Sequence, residues 1–187
     1  MEQLLKFLNS VYPLSNDLIN YLMQNLESKM LKKKEMLLEK GRICKNIFFI
    51  EKGLIRCFYL LNEKEVSSWF MKEGDVIISV ESFFKQVPSY ESIQALEDCT
   101  VYYVSYEQLM HAYVTFVEFN FVGRILTEKY YTLCEQRLYS LRMHKAAERY
   151  NDLLQNDPEI IQRVPSKYIA SYLGISLETL SRVKSKN

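Results

Sequence analysis

One long segment of this sequence lacks proline and can therefore form a single long helix. Residues 115–142 contain no proline and a single glycine, Gly123. Apolar side chains recur in this segment every three or four residues, which is the spacing of a helix face. As one helix the segment would be about 42 Å long. A helix of that length exceeds what is needed to cover one small sheet.

A helix with apolar residues on more than one face needs a second surface to bury them. We therefore predict a homodimer built on paired copies of this helix, with one further face packed on the preceding domain. The alternative is a long core helix in a monomer. The predicted dimer interface comprises Phe119, Val122, Leu126, Tyr130, Leu133 and Leu141.

The residues ahead of this helix have the pattern of β-strands. Residues 32–80 carry short apolar runs separated by turn-like breaks, and residues 92–105 add two more runs. The breaks are Lys40-Gly41, Lys52-Gly53, Asn62-Glu63 and Glu73-Gly74. Runs of about 5 to 7 residues at a spacing of about 10 predict an antiparallel sandwich or barrel. Residues 1–30 have helical spacing instead, so we expect helices before the strands.

Two short helical patterns meet at Gly174, near the end of the sequence. The first begins around Pro165, a residue suited to the first turn of a helix, and Gly174 can take the left-handed conformation that ends it. Ser176 is a good N-cap for the second helix, which begins at Leu177. The apolar residues that would form the shared core are Ile169, Ala170, Leu173, Ile175, Leu180 and Val183. This spacing predicts a helix-turn-helix.

The outward residues of the second helix predict contact with DNA. A guanidinium such as that of Arg182 can donate two hydrogen bonds to guanine, and a carboxylate such as that of Glu178 can accept one from cytosine. Neighbouring polar and cationic side chains would hold phosphates and set the register. The predicted DNA-binding set is Ser166, Lys167, Tyr168, Ser176, Leu177, Glu178, Thr179, Ser181, Arg182 and Lys184. The alternative is an ordinary Glu178–Arg182 surface pair.

The distribution of charge agrees with a nucleic-acid partner. Residues 163–187 hold five basic residues and one acid, a net charge of +4, whereas the remaining residues hold 19 bases and 22 acids, a net charge of −3. A basic terminal module on a nearly neutral chain is typical of a protein that touches a polyanion with one end.

Several other classes of protein are not expected. The four cysteines lack CxxC spacing, which favours reduced thiols over a metal site or a disulfide framework. The two histidines come with no nucleophile–base pair, so we do not predict an enzyme. No run is long enough for a membrane span, and no secretory signal pattern is seen. We expect a cytoplasmic protein without a metal and without a membrane partner.

Together these motifs resemble the CRP/FNR family of transcription regulators, which includes the cyclic-AMP receptor protein. The resemblance rests on "KGRICKNIFFIEKGLIRCFY", "EGDVI", the long helix and "IASYLGISLETLSR". It implies an α+β fold: an N-terminal antiparallel β-roll (a double-stranded β-helix of the cyclic-nucleotide-binding type) with flanking helices, a long dimerisation helix and a C-terminal helix-turn-helix. The implied domains are residues 1–114, 115–142 and 143–187. The family's base-reading glutamate and arginine would be Glu178 and Arg182.

Two pairs of residues depart from the pattern of family members that bind cyclic nucleotides. Those members carry a Gly-Glu pair after the "GD" turn and, further on, an arginine that holds the cyclic phosphate. The matching positions here are Ile78-Ser79 and Ser89-Tyr90. A serine hydroxyl cannot replace a bidentate guanidinium. Cyclic AMP is therefore not expected to bind in the usual way, and we predict no cofactor.

The pocket segment can still suit an uncharged or cationic effector, or it can be a filled core without a ligand. The residues predicted to line it are Ile78, Ser79, Val80, Glu81, Ser82, Ser89, Tyr90, Glu91, Tyr130 and Tyr131.

Other family features are also missing from the pattern. The β-hairpin wing that usually follows the recognition helix is not seen, and Lys184 and Lys186 would partly replace its backbone contacts. The N-terminal cysteine group of the iron–sulfur branch is not seen either. The expected partners are double-stranded DNA, a second copy of the chain and RNA polymerase. The alternative function is a small-molecule sensor or scaffold whose C-terminal helices bind a partner protein.

Overall fold

The computed structural model describes residues 1–185. The chain has the α+β composition that the sequence predicts. Its helices are α1 (Glu2–Val11), α2 (Asn16–Asn25), α3 (Val80–Lys85), α4 (Tyr106–Thr115), α5 (Val117–Met143), α6 (Ala146–Asn156), α7 (Pro158–Arg163), α8 (Ser166–Leu173) and α9 (Leu177–Lys184). Its strands are β1 (Glu27–Leu31), β2 (Met36–Leu38), β3 (Asn46–Lys52), β4 (Ile55–Leu61), β5 (Lys64–Met71), β6 (Val76–Ile77), β7 (Glu91–Ala95) and β8 (Cys99–Ser105).

The strands form two four-stranded sheets, in the orders β1-β8-β3-β6 and β2-β7-β4-β5. In the first sheet β8 pairs antiparallel with both neighbours, and Tyr103 lies opposite Glu27 on one side and Phe48 on the other. Aliphatic residues typical of strands fill the interior; those fully buried include Ile50, Ile77, Ile93 and Val101. The turn spacing predicted an antiparallel sandwich or barrel, and the resemblance implied a β-roll; the antiparallel β-roll is confirmed.

Serine caps fix the starts of two helices beside the roll. Ser15 accepts a hydrogen bond from the backbone N–H of Leu18 (3.2 Å), which caps α2. Ser105 ends β8 and begins α4 with a reciprocal pair: its hydroxyl accepts from the Gln108 N–H (3.1 Å), and its own N–H donates to the Gln108 side chain (2.7 Å). Such caps satisfy backbone groups that a helix terminus leaves open.

The chain forms two compact units that are interleaved in sequence. The first unit contains residues 1–56 and 71–129, and the second contains residues 57–70 and the chain from Tyr130 onward. The first therefore holds most of the strands and the N-terminal helices. The second holds most of the β4–β5 hairpin, the C-terminal half of α5 and helices α6 to α9. The domain boundaries predicted at residues 114 and 142 stay a prediction.

The predicted long helix is present as α5, which is continuous over 27 residues. Its first turns belong to the core of the first unit, where Phe119 is 6% exposed and Val122 is 1% exposed. Gly123 is there because of a close approach: a Cβ at this position would lie 2.5 Å from the Tyr113 hydroxyl. Only a residue without a side chain lets the ring of Tyr113, on α4, come so near the axis of α5.

Candidate nucleic-acid interface and effector pocket

Helices α8 and α9 are joined by a tight turn around Gly174. This residue has φ 65° and ψ 38°, the left-handed conformation that favours glycine. Its N–H donates to the Ser171 carbonyl (3.1 Å), and the Ile175 N–H donates to the Ala170 carbonyl (3.0 Å). These bonds satisfy carbonyl groups at the end of α8. The role predicted for Gly174 is confirmed.

Helix α9 begins with the predicted cap. The Ser176 hydroxyl accepts a hydrogen bond from the backbone N–H of Thr179 at 3.1 Å. Helices α6, α8 and α9 contact one another, and their buried residues are Tyr150, Leu153, Ile169, Ala170, Leu173 and Leu180. The apolar core fixes which face of α9 points outward.

That outward face carries the side chains predicted to read bases. Leu177, Glu178, Ser181 and Arg182 are exposed, and Thr179 is half-buried. The Arg182 guanidinium donates to the Thr179 hydroxyl (3.3 Å), and within residues 1–185 no ion pair joins it to Glu178. The acidic and basic groups are therefore both free to meet an external partner.

The residues predicted to hold phosphates gather at the start of α8. The Lys184 ammonium donates to the Ser166 hydroxyl at 3.2 Å, which brings the end of α9 to the first turn of α8. The Lys167 ammonium lies 4.6 Å from the centroid of the half-buried Tyr168 ring. A helix N-terminus with adjacent cations is a favourable environment for an anion. Lys186, predicted to assist Lys184, lies outside the described residues.

Another side of α8 is anchored within the same unit. The Ser171 hydroxyl accepts from the Ser67 N–H (2.9 Å) and donates to the Glu65 carbonyl (3.1 Å), which ties α8 to strand β5. The Arg137 guanidinium lies 3.5 Å from the centroid of the Tyr172 ring and donates to the Tyr172 carbonyl (2.7 Å). Sequence reasoning missed these contacts because they join residues up to 106 positions apart.

The segment predicted to line an effector pocket is largely closed by its own hydroxyl groups. Ser79, Ser82, Ser89 and Glu91 are buried. The hydroxyls of Ser79 and Ser89 lie 2.9 Å apart, and that of Ser89 donates to the backbone carbonyl of Glu91 at 2.8 Å. The Ser82 hydroxyl accepts from the Cys44 N–H at 2.9 Å. Four of the predicted pocket residues therefore form a buried polar cluster.

The other predicted pocket residues lie in more open positions. Val80 and Tyr90 are exposed, Ile78 is half-buried, and Glu81 pairs with Lys85 on α3 (2.7 Å). Tyr130 and Tyr131 belong to the second unit, where Tyr130 is half-buried and Tyr131 is exposed.

The predicted dimer residues on α5 differ in what covers them. Phe119 and Val122 are buried inside this protomer and have no surface for a second copy. Leu126, Tyr130 and Leu133 are half-buried, and Leu141 is exposed. A further exposed stripe is formed by Tyr131, Cys134, Leu138 and Leu141, of which the sequence prediction included only Leu141 in the dimer interface. Its alternating spacing of three and four residues is visible in the sequence, although the sequence does not show which apolar face stays uncovered.

Comparisons with known proteins agree with this architecture. Residues 28–115 match the family model of the cyclic nucleotide-binding domain. This segment is therefore similar in sequence to that domain, and its two antiparallel sheets form the β-roll described above. No curated protein matches this sequence.

Over most of its length the chain has the fold of several solved structures, one of which is described as a CRP/FNR-family protein. FixK2 from Bradyrhizobium japonicum is 20% identical, with a TM-score of 0.73 over 86% of this chain and 83% of its own. A protein described as a CRP/FNR-family transcriptional regulator from Eubacterium rectale is 15% identical, with a TM-score of 0.74 over 95% and 87%. A CooA mutant from Carboxydothermus hydrogenoformans is 17% identical, with a TM-score of 0.71 over 88% and 77%.

The buried cluster in this segment does not fit a cyclic phosphate. Its hydroxyls bond to one another and to the backbone, and Glu91 adds a buried carboxyl group. Burial raises the pKa of the Glu91 carboxyl above its ordinary value, and a hydrogen bond with Ser79 opposes that rise. An anionic ligand would have to be buried beside this acid without a guanidinium partner.

Residues 1–185 contain no group of three or more His, Cys, Asp or Glu side chains arranged to hold a metal ion. None of the helices in that range is both long enough and apolar enough to cross a bilayer.

Proposed function

We propose that this protein is a homodimeric, sequence-specific DNA-binding transcription regulator of the CRP/FNR type. In this proposal α8 and α9 form a helix-turn-helix, and α9 enters the major groove. The regulator does not respond to cyclic AMP in the usual way. It acts in the cytoplasm, and RNA polymerase is an expected further partner.

The exposed Glu178–Arg182 face of α9 is the observation that carries this proposal. The Gly174 turn and the Ser176 cap orient α9, and the buried Leu180 fixes its inner face. Glu178 and Arg182 are then presented within the first turns of the helix, the part that contacts base edges in helix-turn-helix proteins. Arg182 can donate two hydrogen bonds to guanine, and Glu178 can accept from cytosine.

The proposed phosphate contacts come from side chains flanking this face. Ser166, Lys167 and Lys184 are exposed or half-buried near the start of α8, where the helix N-terminus adds favourable partial charge. Such contacts fix the register of a protein on the duplex without reading its sequence. The similarity in fold to a protein described as a transcriptional regulator supports the same assignment.

Dimerisation through α5 is the second part of the proposal. The stripe formed by Tyr131, Cys134, Leu138 and Leu141 is exposed over about three turns of this helix. Its alternating spacing is that of a seam between two paired helices. Pairing of two copies would bury the stripe and give the assembly two copies of α9 for two half-sites.

In vitro selection of bound DNA tests the function directly. Full-length protein is incubated with a random duplex library, and bound sequences are recovered over several rounds. We expect a palindrome whose half-sites repeat about one helical turn apart, because two-fold symmetry of the protein would be mirrored in the operator. The matched control is the Arg182→Ala variant, for which the consensus should lose one specified base pair in each half-site.

Two results would contradict the proposal. One is recovery of no consensus by the wild-type protein at low salt, and the other is an identical consensus for wild type and Arg182→Ala. A protein that retards no DNA at low salt but gains thermal stability with a small molecule would favour the alternative function of a sensor or scaffold.

A further inference from the structure

The first unit contains an apolar cavity that lies apart from the buried serine cluster. Its volume is about 80 Å³, and helices α1, α2, α4 and α5 line it together with strands β3, β6 and β8. The wall consists mainly of aliphatic and aromatic side chains, among them Leu8, Leu22, Phe49, Val122 and Leu126. No charged residue lines it.

The cavity is large compared with the voids usually found in a protein interior. Native cores are packed to the density of organic crystals and hold few voids larger than a water molecule. An apolar cavity of about 150 Å³ stays dry and accepts benzene or xenon. The cavity described here has about half that volume, ≈ 80 Å³, and would hold a correspondingly smaller molecule. Its wall offers too few polar groups to hold a water molecule well.

Tyr113 supplies one polar group to the apolar wall. Its ring reaches over Gly123, and both residues line the cavity. Among residues 1–185 the Tyr113 hydroxyl makes no hydrogen bond. Burial raises the pKa of this tyrosine above its ordinary value, so the hydroxyl keeps its proton at neutral pH and can donate it in a hydrogen bond. Tyr113 thus brings a hydrogen-bond donor to the lining of the cavity.

We propose that this cavity is a binding site for a small uncharged molecule, mostly hydrocarbon, with one oxygen that accepts a hydrogen bond from Tyr113. Short-chain ketones and alcohols of about four non-hydrogen atoms match this description. The apolar wall excludes a carboxylate or an ammonium ion because either would be buried without a partner. The site is independent of the proposed DNA contact, since all of its lining residues belong to the first unit.

The proposed ligand would also touch α5. Val122, Gly123 and Leu126 on that helix line the cavity, and the same helix continues into the exposed stripe assigned to dimerisation. A molecule that fills the cavity therefore contacts the element on which the proposed dimer depends. This gives the site a physical route to influence regulation, although binding itself does not require it.

Acetone and acetate form a matched pair of probes, because they have the same number of non-hydrogen atoms and differ in charge. Full-length protein with ¹³C-labelled Leu, Val and Ile methyl groups is titrated with each probe and followed by NMR. We expect saturable shifts from acetone at the methyl groups of Leu8, Leu22, Val122 and Leu126, with a Kd in the millimolar range expected for so small a ligand. Acetate should give no saturable shift there.

Two variants of lining residues and one control distinguish the cavity from general solvent effects. Leu126→Phe should fill the space and abolish the saturable shifts, whereas the control Leu61→Phe, at an exposed position of strand β4, should leave them unchanged. Tyr113→Phe keeps the cavity and removes the donor, so the acetone Kd should rise about 5- to 10-fold. This second variant retains the ring and guards against a Leu126→Phe protein that fails to fold.

The proposal is overturned if the wild-type methyl groups show only linear shifts with acetone, or if acetone and acetate shift them alike. An unchanged Kd in Tyr113→Phe would remove the role of the hydroxyl. Because the readout needs no DNA, these outcomes do not depend on the proposed regulatory function.

Discussion

At the scale of single residues, Arg182 and Lys167 allow base reading to be separated from contact with the DNA backbone. We expect Arg182→Ala to lose about 1–3 kcal/mol of discrimination at one base pair per half-site, because the bidentate contact with guanine is removed. Lys167→Ala, the control, should weaken binding to all sequences alike. Binding isotherms on the selected operator and on single-base variants measure both effects. Equal losses on every sequence for Arg182→Ala would contradict its base-reading role.

Glu91 makes the stability of the first unit depend on pH. Burial raises its folded-state pKa above the unfolded value near 4.5, so the unfavourable charge develops in the folded state as the pH rises. The stability associated with neutral Glu91 is present below the unfolded pKa and is lost as the pH rises through the folded pKa. We expect Glu91→Gln to match wild type near pH 4 and to become relatively more stable as the pH rises to 7.

Urea unfolding of both proteins across this pH range measures the difference. Glu81→Gln is the control, because Glu81 lies on the surface of α3 in an exposed ion pair with Lys85. Its difference from wild type should not grow in the same direction. A constant gap between wild type and Glu91→Gln at every pH would show that the buried carboxyl does not respond as described.

At the scale of elements, Cys134 reports on whether two copies of α5 pair in parallel. It is the exposed cysteine, while Cys44, Cys57 and Cys99 are buried. In a symmetric, parallel pair of helices the Cys134 thiols of the two protomers would lie close enough together to form a disulfide. Mild oxidation with copper–phenanthroline should therefore produce a covalent dimer on non-reducing gels.

Cys134→Ser should abolish this crosslink. The double variant Cys134→Ser, Gln136→Cys moves the thiol off the stripe. It should give a much lower yield of the covalent dimer. Equal yields from the two thiol positions would argue for random collision rather than a defined helix pair.

Local signals in the sequence predicted the helices and turns better than they predicted which surfaces pack against them. Gly174 and Ser176 could be assigned because a turn and a cap depend on neighbouring residues alone. The apolar spacing of α5 likewise gave the helix. It did not show that Phe119 and Val122 face this protomer's own core, because periodicity identifies an apolar face and not the surface against it. The sequence also could not show that Ser79 and Ser89 hydrogen-bond to each other in the pocket segment, since that depends on tertiary contacts.

At the scale of the whole molecule, the salt dependence of binding counts the protomers that touch DNA. Each phosphate contact adds about 0.9 to the slope of log K against log salt concentration. Lys184→Ala should lower the slope by about 1.8 if two symmetric copies bind one duplex, and by about 0.9 if one does. Lys33→Ala, an exposed lysine in the first unit, should leave the slope unchanged. Titrations between 50 and 200 mM salt decide between these values.

The attachment of α8 to strand β5 has a practical consequence for anyone who divides this protein. Ser171 is held by backbone groups of Glu65 and Ser67, which the ribosome makes about a hundred residues earlier. A truncated protein that begins at residue 143 would lack those anchors and would leave polar groups of α8 to the solvent. The unit proposed to bind the operator thus combines residues 57–70 with the chain from Tyr130 onward, and a chimaeric protein that carries this unit would need both segments.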